Sequence, residues 1–449
     1  MGKYQGYEKY KDSGVEWLGE IPEHWNIQKF IRAAFFQEGP GLRNWQFADN
    51  GIRVICVTNI TEKGIDFSSY QKFIEQEDYE KNYKHFTVKN NDLLLSSSGN
   101  SWGKVAEYNS DEIVVLNTST IRINEHETSC ADRVFLKWTL QSFCLREQLS
   151  LLMTGSCQPN FGPSHLAKTI IAIPPLDEQK TIARFLDYKT KQIDDLIAKK
   201  EALIEKLDEK RTALISHAVT KGLDPNVPMR DSGVEWLGEI PKHWKPVKLK
   251  YICSLLRDGT HLPPPRVDNG IPLLSVRNII NNCFVNLEDD SLISEKDFQE
   301  LNKSFQVLEN DILLAIVGAT LGKVAIVKKM PRFTIQRSLA VLRSKAGVCV
   351  HKFLFYFIKS PDFQKLLWLN TGFSAQPGIY LGSLANFFVP IPPIAEQAKI
   401  ITYLDQKITQ IDQQKDKIKE AIERLKEYRT ALITNAVTGK IDVRQVPIS

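Results

Sequence analysis

The sequence predicts an α+β fold in which two β-rich α/β globular domains are joined by two long helices forming an antiparallel coiled coil. The segment Asp12–Trp25 (DSGVEWLGEIPEHW) returns as Asp231–Trp244 (DSGVEWLGEIPKHW), so the chain is a tandem repeat of 219 residues with an expected pseudo-twofold relation. A long helical stretch closes each copy, and short strand-like runs precede it. A repeat of this length is a whole domain and its connector, because solenoid units are far shorter.

The repeat divides the chain into seven segments. We expect a leader with the first signature at 1–25, a globular domain at 26–172, a helical spacer at 173–222, and a linker with the second signature at 223–244. A second globular domain at 245–390, a second helical spacer at 391–440 and a tail at 441–449 complete the prediction. Each copy is long enough to bury its own core.

Bulk composition indicates an ordinary soluble protein. Charged residues make up 25% of the chain, and the net charge of +5 permits a polyanionic partner without requiring one. The seven cysteines show no metal-ligand or disulfide spacing, so we expect neither a zinc site nor a disulfide framework. The amino terminus lacks an apolar segment and no apolar run reaches 18 residues, which favours a cytoplasmic location.

Two stretches without internal Pro or Gly predict the long helices, 176–219 and 394–437. In the second stretch apolar residues recur every seven positions, at Leu404, Ile411, Ile418, Leu425 and Leu432. The first keeps this register, with Lys200 replacing the residue that matches Ile418. Such spacing is typical of a coiled-coil seam, and we expect the two helices to pair antiparallel. The alternative is that each helix is a core element of its own domain.

Both helices carry the block Arg-Thr-Ala-Leu-Ile, at 211–215 and 429–433. Two interpretations stay open: the blocks reflect internal symmetry alone, or they dock two copies of one partner. For the second case the candidate partner-binding residues are Arg211, Thr212, Arg429 and Thr430.

The middles of the two copies differ, although short pieces match. Residues 51–57 and 270–276 are strand-like, as are 91–95 and 310–314, and each of the latter precedes a Gly-x-x-x-Gly-Lys turn. The turn is one residue too short for a nucleotide-binding P-loop, and valine stands where Ser or Thr would hold Mg²⁺. It is either a structural β-turn or a grip for a single backbone phosphate.

If each middle binds a different ligand, specificity lies at unshared polar positions. Arg, Asn, Gln, Ser and Thr are residues that hydrogen-bond base edges. The candidate DNA-contacting residues of the first copy are the unshared Arg43, Asn44, Gln46, Thr58, Ser97, Ser98, Asn100 and Trp102, together with Lys104 and Gln158. Those of the second copy are the unshared Arg257, Thr260, His261 and Arg277, together with Lys323 and Gln376, which match Lys104 and Gln158. We take Arg43–Gln46 to stand where the second copy has Arg257–His261.

Motifs for catalysis are missing. The sequence has no Walker A, His-Glu-x-x-His or Gly-x-Ser-x-Gly motif, and its Ile-Pro-Pro segments lack the asparagine and aromatic ring of a methyltransferase tetrad. We therefore expect no catalytic, metal or cofactor site in the chain itself.

The repeated signature, the Ile-Pro-Pro-x-x-Glu-Gln segments (173–179 and 391–397) and the two Arg-Thr-Ala-Leu-Ile blocks resemble the specificity subunit of type I restriction-modification enzymes. The likeness covers essentially the whole chain. Asp258-Gly259-Thr260-His261 matches a stretch often seen in target-recognition domains of this family, whereas the first copy departs from it with Glu38-Gly39-Pro40.

The resemblance implies two target-recognition domains, each reading one half of an asymmetric bipartite site in double-stranded DNA. It implies that the helices set the spacer and dock two methyltransferase subunits, which motor-nuclease subunits then join. Methylation with S-adenosylmethionine and cleavage with ATP would occur on those partners, leaving this chain without a cofactor. The rival hypotheses are a protein–protein scaffold with two binding domains and a single-chain nuclease or methyltransferase.

Overall fold

The structure is a computed structural model that describes residues 4–126, 130–153, 159–262, 264–372 and 377–447. It forms two compact units. The first contains residues 1–200 and 419–449, and the second contains residues 201–418. Each unit therefore holds one globular domain and a part of both long helices.

The first unit is built from short strands that precede a long helix. Its strands are β1 (Tyr10–Asp12), β2 (Glu20–Pro22), β3 (Asn26–Lys29), β4 (Ala34–Glu38), β5 (Ile52–Ile55), β6 (Ile60–Thr61), β7 (Gly64–Ile65), β8 (Phe73–Ile74), β9 (Thr87–Val88), β10 (Leu93–Ser96), β11 (Val105–Glu107), β12 (Val114–Leu116), β13 (Thr120–Glu125) and β14 (Ile170–Ile173). Its helices are α1 (Phe30–Ala33), α2 (Gln76–Asp78), α3 (Arg133–Gln141), α4 (Phe143–Leu152), α5 (Pro163–Leu166) and the start of α6 (Leu176–Lys221).

The second unit repeats most of this order. Its strands are β15 (Met229–Asp231), β16 (Glu239–Pro241), β17 (Lys245–Lys248), β18 (Cys253–Asp258), β19 (Ile271–Leu274), β20 (Ile279–Ile280), β21 (Cys283–Phe284), β22 (Leu292–Ile293), β23 (Ile312–Ala315), β24 (Val324–Ile326), β25 (Thr334–Ile335), β26 (Leu339–Ser344) and β27 (Phe388–Ile391). Its helices are α7 (Leu249–Ile252), α8 (Glu295–Asn302), α9 (His351–Lys359), α10 (Pro361–Leu369), α11 (Leu381–Ala385) and the start of α12 (Ile394–Val437).

The two domains share the order of four central strands. In the first, an antiparallel sheet has the order β11-β10-β13-β4, and a second sheet pairs β5 parallel to β12. In the second domain β24-β23-β26-β18 follows the same order, β21 and β20 extend this sheet beyond β24, and β19 pairs parallel to β25. The strand-like runs predicted around residues 51–57, 91–95, 270–276 and 310–314 are confirmed as β5, β10, β19 and β23.

The shared asparagines build this frame. Asn59 and Asn278 are fully buried, and each side-chain oxygen accepts a hydrogen bond from the backbone N–H three residues earlier, at 2.9 Å. Each amide group donates to carbonyl oxygens of the following loop, that of Asn59 to Asp66 and that of Asn278 to Val285. Because a buried amide without partners is costly, these contacts explain why both copies keep the same residue here.

A second shared pair, Asn-Asp, turns the chain into β10 and β23. Asn91 and Asn310 adopt the left-handed conformation (φ 72° and 71°), which asparagine tolerates better than most residues. The adjoining carboxylates, Asp92 and Asp311, are buried and accept hydrogen bonds from the backbone N–H three residues earlier, at 2.7 and 2.8 Å. These matching residues are therefore structural.

The Ile-Pro-Pro-x-x-Glu-Gln segments begin the long helices and attach them to the domains. Gln179 and Gln397 are fully buried, and their side chains accept from the N–H groups of Asp132 and Val350 at 2.7 and 2.8 Å. Glu178 accepts hydrogen bonds from Tyr7, His24 and Trp25. The second tryptophan of each signature, Trp25 or Trp244, is fully buried and packs in the core, whereas Trp17 of the first signature is exposed.

The long helices end close to where the sequence predicts, α6 at Lys221 and α12 at Val437. In the second unit Arg211 of α6 pairs with Asp412 of α12, and Asp208 pairs with Lys415. From Arg211 back to Asp208 on α6, the partner on α12 moves forward from Asp412 to Lys415. The two helices therefore pair antiparallel. In the first unit Arg429 pairs with Asp194 at 2.9 Å, the symmetry-related contact.

The seven-residue stripe lies on the paired faces. Leu186, Ile193, Leu404, Ile411 and Leu432 are buried, and the intervening seam residues are half-buried. The coiled-coil prediction and the α+β fold class are confirmed. Within the described residues, no helix combines the length and apolar character needed to cross a membrane.

Candidate functional site

The two Gly-x-x-x-Gly-Lys turns use most of their backbone N–H groups internally. The N–H groups of Trp102, Gly103 and Lys104 donate to carbonyl oxygens within residues 96–101, and Leu321, Gly322 and Lys323 repeat the pattern. Gly103 and Gly322 have φ values of 76° and 89°, which favours glycine. Since these donors are occupied, the geometry favours the structural β-turn over a backbone phosphate grip.

The ends of β4 and β18 are equivalent. Glu38 of β4 pairs with Ile121, and Asp258 of β18 pairs with Ala340 at the matching place in the sheet. A register shift near Cys253 adds one residue to the second copy. The counterpart of Asp258–His261 is therefore Glu38–Gly41, which agrees with the sequence comparison of Glu38-Gly39-Pro40 with this stretch. The alignment of Arg43–Gln46 with Arg257–His261 is wrong, because Arg43–Gln46 lies further along the loop that follows β4.

Most candidate residues of the first domain lie at the surface, and three of them do not offer a free side chain. Ser97 is buried, so its hydroxyl is out of reach of DNA. Trp102 is half-buried against Phe161, and the Arg146 guanidinium lies 5.3 Å from its ring. Gln46 donates to the Tyr83 hydroxyl at 2.6 Å. The side chains of Arg43, Asn44, Thr58 and Asn100 are exposed, and Ser98 and Lys104 are partly exposed.

In the second domain, Arg277 is held by two carboxylates. Its guanidinium lies 2.7 Å from Asp289 and 2.9 Å from Asp290, and these hydrogen bonds raise the pKa of Arg277. Lys323 is exposed. Arg257 is exposed as well, but it alternates with Asp258 along β18, so the two side chains point to opposite faces of the sheet.

Thr260 and His261 lie in the loop after β18. The Thr260 hydroxyl donates to the Leu262 carbonyl at 2.9 Å, and the His261 ring contacts the Asp258 carboxylate at 2.8 Å. Gln158 and Gln376 lie outside the described residues. The individual DNA-contact assignments therefore stay predictions.

A groove of about 630 Å³ in the second domain brings several polar side chains together. Asp258, His261, Arg337 and Tyr380 line it, together with the apolar Ile316 and Val317. Sequence reasoning found His261 and missed Arg337 and Tyr380. Both could have been found by comparing the copies, since Arg337 stands where the first copy has Thr118 and Tyr380 where it has Gly162.

The candidate docking residues on the helices are of two kinds. Arg211 and Arg429 are paired inside the chain with Asp412 and Asp194, so their side chains contribute to helix pairing. Thr212 and Thr430 are exposed. Thr430 also borders a shallow surface depression of about 530 Å³ in the first unit, with Phe143 on its rim. Their role in docking stays a prediction.

Among the described residues, few ionisable side chains have strongly shifted pKa values. Burial lowers the pKa of Lys359 to about 8, and the nearby Arg211 cation acts in the same direction. Burial raises the pKa of the Cys253 and Cys349 thiols to about 12. In the part of the chain that the structure describes, no group of three or more His, Cys, Asp or Glu side chains could hold a metal ion.

Shared buried residues and unshared surface residues together define a protein with two related but non-identical recognition domains on a helical scaffold. Residues 37–206 and 241–424 match the family described as Type I restriction modification DNA specificity domain, one match in each copy. Since these matches cover more than half of the sequence, the chain belongs to that family. The resemblance inferred from the repeated motifs is confirmed.

Two relatives with similar sequences are named as specificity subunits of type I restriction enzymes. Over 283 residues the chain is 29% identical to the Type I restriction enzyme EcoBI specificity subunit of Escherichia coli, a match that spans 62% of this chain and 59% of that protein. Over 440 residues it is 26% identical to the Putative type I restriction enzyme MjaX specificity subunit of Methanocaldococcus jannaschii, spanning 95% of this chain and 96% of that protein.

Solved structures share the fold. A chain from a structure of complex assembly and conformational transition of the type I R-M system superposes with a TM-score of 0.67 at 16% identity, covering 93% of this chain and 98% of that one. The HsdS subunit from Thermoanaerobacter tengcongensis gives a TM-score of 0.52 at 17% identity, covering 94% and 98%.

Proposed function

We propose that this chain is the DNA-specificity subunit of a type I restriction-modification complex. The domains at 26–172 and 245–390 are its target-recognition domains, and each reads one half of an asymmetric, bipartite site in double-stranded DNA. One observation carries the proposal: a DNA specificity domain match falls on each copy, while the two copies keep the same buried frame and differ at surface polar residues.

The chain itself is non-catalytic in this proposal. Two methyltransferase subunits dock on the helices near the exposed Thr212 and Thr430, and motor-nuclease subunits join through the complex. The names of the relatives as specificity subunits support this division of labour. A protein that selects sites in host DNA acts in the cytoplasm, away from any membrane.

An exchange of residues 26–172 for the equivalent segment of another family member tests the proposal. The hybrid and the parent are each expressed with the methyltransferase subunit, and methylated motifs are read by long-read methylome sequencing. We expect one half of the methylated motif to change while the other half stays. Unchanged methylation with altered protein partners would instead favour a scaffold.

The non-catalytic assignment has its own experiment. The purified chain is incubated with DNA, Mg²⁺, ATP and S-adenosylmethionine, with the assembled complex as the positive control. We expect neither methyl transfer nor cleavage from the chain alone, because the chemistry belongs to its partners. Turnover by the chain alone would contradict the assignment.

A further inference from the structure

The groove of the second domain carries an inference that rests on the proposed function. We propose that Arg337 reads a guanine in the half-site of the second domain, its guanidinium donating to the O6 and N7 atoms in the major groove. Arginine suits this base because its planar fork matches the two acceptors, and this pairing is the commonest specific contact between proteins and DNA.

Arg337 is the available arginine on this surface. Four arginines between residues 245 and 390 have a guanidinium that is hydrogen-bonded within the chain, to a backbone carbonyl for Arg266 and to carboxylates for Arg277, Arg332 and Arg343. Among the residues that the structure describes, Arg337 and Arg257 have no such partner, and both are exposed. Arg257 lies on the other face of β18, away from Asp258 and the groove.

The backbone around Arg337 is held from several directions. Its N–H donates to the Thr260 carbonyl at 3.1 Å, and the N–H of Gln336 donates to Leu274 at 2.9 Å. The N–H of Thr260 returns a bond to Ile335 at 3.0 Å, so the two segments form a bridge. A side chain that distinguishes bases must start from a rigid position, and this bridge provides one.

The rest of the groove favours a base edge over a phosphate. The carboxylate of Asp258 lines the same groove and contacts His261 at 2.8 Å, and a fixed negative charge opposes the entry of a phosphate. Tyr380, 80% exposed, adds an aromatic surface to the same groove. A groove that holds a cation, an aromatic ring and a carboxylate complements a G·C pair, which presents acceptors on guanine and a donor on cytosine.

The first domain lacks this arrangement. Gln336 and Asn117 occupy equivalent places, since their N–H groups bond to the matching carbonyls of Leu274 and Ile55. The next residue is Arg337 in one copy and the exposed Thr118 in the other. The inference therefore concerns only the half-site of the second domain. This is expected if the two domains read different sequences.

The conservative substitution Arg337→Lys tests the inference, since it keeps the charge and loses the fork. Arg332→Lys is the matched control: this exposed arginine of the same domain is paired with Glu295. Each chain is expressed with its methyltransferase subunits, and the exchange of residues 26–172 shows which half-site belongs to the second domain. We expect R337K to lower the preference for guanine at one position of that half-site by roughly 5- to 150-fold.

The other half-site and the thermal unfolding temperature should not change in R337K, and R332K should keep the wild-type motif throughout. A bipartite motif that R337K leaves intact at every position, or a half-site without guanine in either strand, would overturn the inference alone. A uniform fall in methylation without relaxation at any base would do the same, because it indicates a phosphate contact. A wild-type complex without a bipartite motif would overturn the proposed function and the inference with it.

A binding measurement with modified DNA is independent of how well the variant methylates. Each guanine of the half-site is replaced in turn by 7-deazaguanine, which lacks the N7 acceptor. The wild-type complex should lose affinity at one guanine, and the R337K complex should lose less at that guanine, because the lysine lacks the planar fork. Equal sensitivity of both complexes at every guanine would contradict the assignment.

Discussion

At the scale of single residues, several positions that the two copies share are buried and hold the domain frame, whereas several that differ lie at the surface. Asn59 and Asn278 make the same buried hydrogen bonds in both copies. Gly39 and Gly259 have equally little space for a side chain. A Cβ atom would lie 2.3 Å from the Asn117 carbonyl oxygen at Gly39, and 2.3 Å from the Ile335 carbonyl oxygen at Gly259. The loops that carry the candidate DNA contacts therefore begin at fixed points.

The first residue-scale prediction concerns these glycines. Gly39→Ala and Gly259→Ala should each destabilise the protein by about 1–3 kcal/mol, because backbone segments must move apart to admit the methyl group. Urea unfolding of the full chain measures the change. Gly41→Ala is the control, since a Cβ there meets nothing within 4 Å. Equal stability of Gly39→Ala and Gly41→Ala would contradict the close approach.

A second residue-scale prediction follows from Lys359. Because burial lowers the pKa of this amine to about 8 in the folded state, the unfolded chain binds its proton more tightly. Between about pH 8 and 10.5, stability should rise with pH through this group. Lys359→Met should raise the unfolding temperature at pH 7, and the gain should fade by about pH 10.5. A gain that does not depend on pH would show that packing, rather than charge, is responsible.

At the scale of elements, the long helices combine an apolar seam with reciprocal ion pairs. Arg211–Asp412 in one unit and Arg429–Asp194 in the other are related by the repeat. Trp138 and Tyr356 make a second related pair of contacts, donating to Asp187 and Asp405 of the helices. Half-exposed ion pairs contribute little to stability, so the seam supplies most of the pairing energy.

This division predicts unequal effects of mutations on α12. Ile411→Ala, at a seam position that is 4% exposed, should cost about 2–4 kcal/mol of unfolding free energy. The neighbouring Gln410→Ala, at an exposed position, should stay within about 0.5 kcal/mol. Chemical unfolding followed by circular dichroism at about 222 nm measures the unfolding free energy of each variant. Similar losses at both positions would argue against a buried seam.

At the scale of the whole molecule, the net charge of +5 over 449 residues is small for a protein proposed to hold DNA. Affinity for DNA comes largely from neutralised phosphates and falls steeply with salt. The partners of the complex would therefore supply much of the phosphate contact, while this chain supplies discrimination.

We accordingly expect weak, salt-sensitive DNA binding by the isolated chain and tight specific binding by the complex with methyltransferase subunits. Fluorescence anisotropy with specific and scrambled duplexes over a salt series measures both. Subnanomolar, sequence-specific binding by the chain alone at moderate salt would refute this expectation.

The repeat, the two long helices with their seam, and the shared strands could be predicted from the amino-acid sequence, because they depend on local periodicity and on residues that recur. The sequence also identified Thr260 and His261 as part of a distinctive loop. It did not reveal that Ser97 is buried, that Arg277 is held by two aspartates, or that Arg337 joins His261 in one groove. Exposure and pairing of a side chain depend on segments far away in the chain, such as the bridge between Thr260 and Gln336, and only the tertiary structure brings those segments together.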